Sequence, residues 1–186
     1  MKLFMLLLGS TPEGRKIEQH DIFFGIADTL RDLVPAIIES WPEAKGNVHI
    51  DGWRAVNYVD QHVVEVFDKK ATPAGISENN SKLFFLNLGG YKQNEFEEFH
   101  YKMLVAGENK SIAIQQAKAT AFYKHVGFKG ATSHIDDKYG VDVDDVFEIA
   151  DILPPEVKAK YSLVISPTNI IAEDELHLGY FILSKL

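Results

Sequence analysis

Two short elements in this chain carry residue types that could do acid–base or metal chemistry, and the two occur together twice. Glu18-Gln19-His20 and Glu98-Phe99-His100 are Glu-x-His triplets, and His49-Ile50-Asp51 and His134-Ile135-Asp136 are His-x-Asp triplets. On a strand, residues i and i+2 share a face about 6.5–7 Å apart, so each triplet presents a carboxylate and an imidazole to one side. Such a bracket can hold a divalent metal, or act as a base with its orienting partner. The candidate polar site is therefore Glu18, His20, His49 and Asp51, with Glu98, His100, His134 and Asp136 as a second set. The imidazoles of His20, His49, His100 and His134 are the candidate metal ligands. A third triplet, Glu175-Leu176-His177, has no His-Ile-Asp companion and reads as chance.

The bland reading of the same residues carries more weight at this level. Strand beginnings are often polar because they emerge from loops, and a His–Asp pair can simply satisfy a buried polar group. In open α/β sheets, moreover, ligands favour the carboxyl ends of strands.

The elements that position these residues come from an internal repeat. Lys2-Leu-Phe-Met-Leu-Leu-Leu-Gly9 recurs eighty positions on as Lys82-Leu-Phe-Phe-Leu-Asn-Leu-Gly89. The same register superposes Glu18 on Glu98 and His20 on His100. Residues 2, 3, 4, 6, 8, 9, 18 and 20 are identical to their counterparts, eight of nineteen positions, where chance gives roughly one. The match resumes with His49-Ile50-Asp51 on His134-Ile135-Asp136, then Val63–Val66 on Val146–Ile149. The chain thus reads as a tandem duplication of a strand-strand-helix-strand-strand unit, an α+β fold.

The boundaries follow: 1–68 is the first repeat, 69–81 a linker with Pro73, Gly75 and Asn79-Asn80, and 82–152 the second repeat. Residues 153–186 are a C-terminal extension whose Tyr161–Ile165 and Leu176–Leu183 read as strands that pair with a sheet or cover its edge. A single repeat of this size is marginal alone, so the copies are expected to pack as one globule about a pseudo-twofold axis. The first copy runs Leu3–Leu8, then His20–Ile26. A helix follows over the Leu30, Leu33, Val34, Ile37, Ile38, Trp41 stripe, broken or kinked at Pro35 and capped by Asp28 or Thr29. The strands Val48–Val56 and His62–Phe67 close it. In the second copy the helix is Ser111–Lys124, with strands near Ser133–Asp137 and Asp145–Ile149. The second strand, helix and third strand should form a parallel crossover. That would bring both triplets of a copy to the same end of parallel strands.

Composition excludes several classes. With no cysteine there are no disulfides, thiol nucleophiles or thiolate metal sites, which fits a reducing cytoplasm. A net charge of −8 opposes bulk binding to nucleic acid or anionic membrane. The Leu3–Leu8 run is too short for a signal peptide and reads as a buried strand, and no stretch approaches the roughly 20 apolar residues of a membrane span. Gly89-Gly90-Tyr91 lacks the rest of a phosphate loop and reads as a turn. The acidic stretch at Asp142, Asp144, Asp145 and Glu148 lacks the glycine and terminal glutamate of a calcium loop. A nucleic-acid surface would need Lys102, Lys118, Lys124 and Lys129 to be continuous.

With those residues in view, the chain resembles a bacterial family known as domain of unknown function 1543. The resemblance rests on Leu-Gly closing the first strand, Glu18–Asp21, Phe99–Lys102, Phe122–Gly130 and the His-Ile-Asp elements, and covers nearly the whole chain. It implies one or two copies of the domain and no assigned activity. The second copy departs where Asp21 becomes Tyr101. The leading expectation is a cytoplasmic module that binds a small molecule or protein, with exposed strand edges that suit a homodimer. The alternative is a metal-binding or hydrolase-like protein that uses the duplicated triplets with a divalent metal.

Overall fold

The computed structural model describes residues 1–70, 80–91, 94–119 and 141–186, the side chains of 141–144 excepted. The chain forms two compact units: Met1–Ser77 with Leu153–Leu186, and Glu78–Ile152. Both are mixed strand and helix, an α+β fold.

In the first unit β1 (Lys2–Ser10) is apolar on both faces and lies inside the sheet. It pairs antiparallel with β2 (Gln19–Ala27) on one side and β3 (His49–Val56) on the other. The strands β2 and β3 are therefore parallel, as the crossover requires, but β1 runs between them. Phe4, Leu6 and Leu8 point to one face and pack with Phe23, Leu33, Ile37 and Ile50. Leu3, Phe24, Ile26 and Val56 are buried on the other.

The β2–β3 connection breaks at the proline. A 3-10 turn at Leu30–Leu33 hands over to α1 (Val34–Ser40), with Pro35 in the first turn, where a missing N–H costs nothing. Asp32 accepts hydrogen bonds from the Thr29 hydroxyl (2.7 Å) and backbone N–H (3.0 Å). The Thr29 side chain and then its backbone hold the Asp32 carboxyl below its usual range. A carboxyl with a depressed folded pKa stabilises the fold above its unfolded value and loses that contribution as pH falls through the folded one. Thr29→Ala should accordingly lower the thermal midpoint at neutral pH by a few degrees, typical for a cap. The gap to the parent should shrink in acid. A difference that is the same at pH 7 and in acid would refute this role.

After β3 the chain does not close onto the first sheet. Asp60 and Gln61, both at positive φ (48° and 60°), turn β4 (Tyr58–Val59) into β5 (His62–Asp68). The strand expected to close residues 1–68 belongs instead to a separate sheet. Its partner β9 (Tyr161–Pro167) comes from the C-terminal extension, giving the order β4-β5-β9. β10 (His177–Ile182) extends the first sheet on β3, for the order β10-β3-β1-β2. Between them, Asp174 accepts from the backbone N–H groups of Asn57 (2.9 Å) and Tyr58 (3.2 Å), which fixes the extension at the β3–β4 corner.

In the second unit β6 (Lys82–Tyr91) lies between β7 (Glu98–Gly107) and β8 (Val141–Glu148), both antiparallel to it. The helix α2 (Lys110–Lys118) starts at Asn109, whose side chain accepts from the Ile112 N–H at 3.1 Å. The core is Phe84, Leu86, Leu88, Val105, Ala113 and Ala117. Gly89 and Gly90 lie inside β6, opposite His100 and Phe99, so they are strand residues and not a turn. Asp145–Glu148 also differs from the expected closing strand. It is the end of β8, which flanks β6 as β3 flanks β1, and the chain then turns into a short helix at Ile149–Ile152. The reason is register: Asp142 pairs with Gly89 as His49 pairs with Gly9. The expected strand at Ser133–Asp137 and the helix beyond residue 119 fall outside the described residues.

Candidate functional site

The first site is built on one row of the sheet. His20 on β2, Gly9 on β1 and His49 on β3 are direct cross-strand partners, so all three positions share a face. The central position has no side chain, which lets both imidazoles lean inward. Asp51 joins them through a register shift: Leu8 pairs with Ile50 and Leu7 with Gly52, leaving Asp51 as the extra residue of a bulge. Ile50 turns the other way into the core, fully buried. Glu18 stands just ahead of β2, two residues from His20.

The four side chains converge. His20 Nε2 lies 3.5 Å from Glu18 Oε2 and 3.3 Å from Asp51 Oδ2. His49 Nε2 lies 3.1 Å from Glu18 Oε1 and 3.2 Å from Asp51 Oδ1. Glu18, His20 and Asp51 offer donor atoms that all lie within 4.8 Å of one another. The cluster is graded in depth: the side chain of His49 is 10% exposed, Asp51 23%, and Glu18 and His20 about 40% each. Despite those short separations, His49 Nε2 and Asp51 Oδ2 are buried without a hydrogen bond. Their approaches have the distance but not the direction of one, and buried polar atoms seldom stay so. Two neighbours complete the setting. The Tyr180 ring on β10 lies 4.1 Å from that of His49, centroid to centroid, and Ser10 donates to the Asn47 carbonyl at 2.7 Å.

Gly9 is a requirement that residue-type reasoning passed over. A Cβ there would sit 2.4 Å from both Asp51 Oδ2 and His49 Nε2. Its signal in the sequence is the match of Gly9 with Gly89, each of which pairs with a histidine of the neighbouring strand. Nothing in the sequence pointed to Tyr180 or to the bulge.

The second set is only partly within the described residues, because His134 and Asp136 are not among them. Glu98 Oε2 lies 3.9 Å from His100 Nε2, a looser contact than any in the first site. The Asn87 amide is 3.2 Å from His100 Nδ1, where the first unit has the apolar Leu7 at the matching place. Lys102 donates to the His100 carbonyl at 3.3 Å, and burial pushes its ammonium below the usual lysine range. Of the lysines that would form a basic surface, Lys124 and Lys129 lie outside the described residues. The third triplet is open, with Glu175 Oε2 at 3.7 Å from His177 Nε2. His177 instead stacks on Trp53 at 3.8 Å, on the opposite sheet face from the cluster.

Residues 15–66 match the family model described as Domain of Unknown Function (DUF1543). That stretch is shorter than the resemblance implied, and it holds all four residues of the first site. No curated protein matches the sequence. Among solved structures, the crystal structure of a protein Il1583 from Idiomarina loihiensis superposes with a TM-score of 0.61 at 20% identity. The match covers 97% of this chain and 95% of that one. At that identity the likeness is one of fold. Among the described residues no helix is long and apolar enough to cross a membrane.

Proposed function

We propose that this chain, whose residues 15–66 match the DUF1543 family model, binds a divalent transition-metal ion in its first unit through Glu18, His20, His49 and Asp51. The observation that carries this reading is the buried, hydrogen-bond-free His49 Nε2 facing two carboxylates. Metal–ligand bonds of about 2.1 Å put neighbouring donors roughly 3.0–3.5 Å apart. The separations of 3.1, 3.2, 3.3 and 3.5 Å lie in that range. Two imidazoles with two carboxylates suit zinc, iron or manganese better than magnesium or calcium, which prefer all-oxygen shells. The exposed side, at Glu18 and His20, leaves the ion open to water or a ligand. The expected small-molecule module thereby acquires a specific site, and a hydrolytic role remains compatible with it.

The same reading includes the duplication. Its support is that Gly9 and Gly89 face His20 and His100 at an offset of eighty, with bulges at Leu7/Leu8 and Asn87/Leu88. The second copy has diverged around Asn87 and Lys102. The absence of cysteine supports a reducing, cytoplasmic setting.

Calorimetric titration of chelator-stripped protein tests the metal reading. Zn2+ should bind and, at about a hundredfold excess over Kd, stabilise the fold by about 2.7 kcal/mol. Mg2+ should do neither. An Asp51→Asn variant that takes up Zn2+ as the parent does would contradict the assignment.

A further inference from the structure

The edge strand β10 carries an unusual side. Leu178, Tyr180 and Ile182 are 76%, 68% and 41% exposed, while Phe181 between them turns into the core. Leu178 and Ile182 pair with Gly52 and His49, so the exposed strip lies on the sheet face that bears the cluster. Contact with the cluster is direct at one point, where the Tyr180 ring rests against His49. Leu178 lies over Gly52, the residue after Asp51. Gly179, at φ +143°, supplies the backbone conformation that sets this part of β10 out of regular register.

A polar cluster and an exposed apolar strip that touch on one face describe two halves of a binding surface. Contiguous exposed apolar side chains on a folded protein mark contact sites. We infer that the site's ligand is a small amphipathic carboxylate, its head on the metal and its aliphatic tail along Leu178, Tyr180 and Ile182. This rests on the metal reading above. A wholly polar ligand would leave the strip wet, and a wholly apolar one would leave the ion's open positions to water. Without the ion, Glu18 and Asp51 repel a carboxylate. Binding therefore depends on metal, which a merely greasy surface would not.

The test uses the full-length protein loaded with Co2+ and titrated with acetate or octanoate while the visible spectrum of the ion is followed. Octanoate should bind at least about tenfold more tightly than acetate, because each methylene covered adds to affinity. Metal-free protein should bind neither. The double variant Leu178→Ser/Ile182→Ser should bring octanoate down to the acetate affinity, with Co2+ stoichiometry measured alongside. Equal affinity for the two acids in the parent would overturn the inference, as would a chain-length preference that survives in the variant. So would a dimer, seen by sedimentation, that the variant dissociates, since a second copy would then occupy the strip. Failure of Co2+ to bind at all is a separate outcome. It removes the metal reading, and this inference with it.

Discussion

Replacing Gly9 with alanine should weaken Zn2+ binding by at least about a hundredfold, a full-ligand-loss effect from a residue that donates nothing to the ion. The added methyl would stand 2.4 Å from Asp51 Oδ2 and from His49 Nε2, where real contacts need more than 3 Å. The backbone of β1 is held by β2 and β3 on both sides, so the two side chains must give way. They can do so only by rotating out of the cluster. The fold should survive, because the methyl faces the site and not the Phe4–Leu6–Leu8 core. A circular-dichroism spectrum like that of the parent checks this. Gly89→Ala in the other unit serves as control and should leave first-site affinity within about twofold. Zn2+ affinity in Gly9→Ala within about threefold of the parent would mean that the cluster does not hold the ion.

The second large effect separates the two imidazoles. His49→Ala should cost at least about a hundredfold in Zn2+ affinity, His20→Ala only about tenfold. His49 is packed against Tyr180 and almost wholly buried, so its orientation is set before the ion arrives and little entropy is lost on binding. His20 is 42% exposed and must be ordered. His49→Ala also leaves two carboxylates facing each other in a half-buried space. Metal-free His49→Ala should therefore be less stable than metal-free parent at neutral pH, because like charges then face each other with no imidazole between them. Competition against a chromophoric chelator gives the affinities, and urea unfolding gives the stabilities. Equal losses for the two variants would contradict the graded site.

Much of this arrangement is legible in the residues themselves. The repeat at an offset of eighty brings out Glu18, His20 and Gly9 together. Right-handed crossover logic then places His49 and Asp51 at the same strand end, because β2 and β3 are parallel. It leaves out β1 between them, since apolar β1 could as well have been an edge neighbour. That omission hides why Gly9 matters. The bulge at Asp51 is invisible because period-two alternation already puts residues 49 and 51 on one face. The break at Pro35 and the cap at Thr29 follow from local chemistry and need no tertiary information. Strand pairing over long distances does need it. Nothing local says that β5 joins β9, or that β10 lays Tyr180 against His49. In the second unit, the motif match sets His134 on His49, whereas backbone register sets Asp142 opposite Gly89. Sequence similarity aligns residue types, and hydrogen bonding aligns positions.

The most direct measurement is elemental analysis of protein purified without chelator, run beside the double variant His20→Ala/His49→Ala prepared in the same way. The account predicts that the parent carries about one more equivalent of a transition metal per chain than the variant. Equal metal content in the two proteins, with both folded, would contradict it.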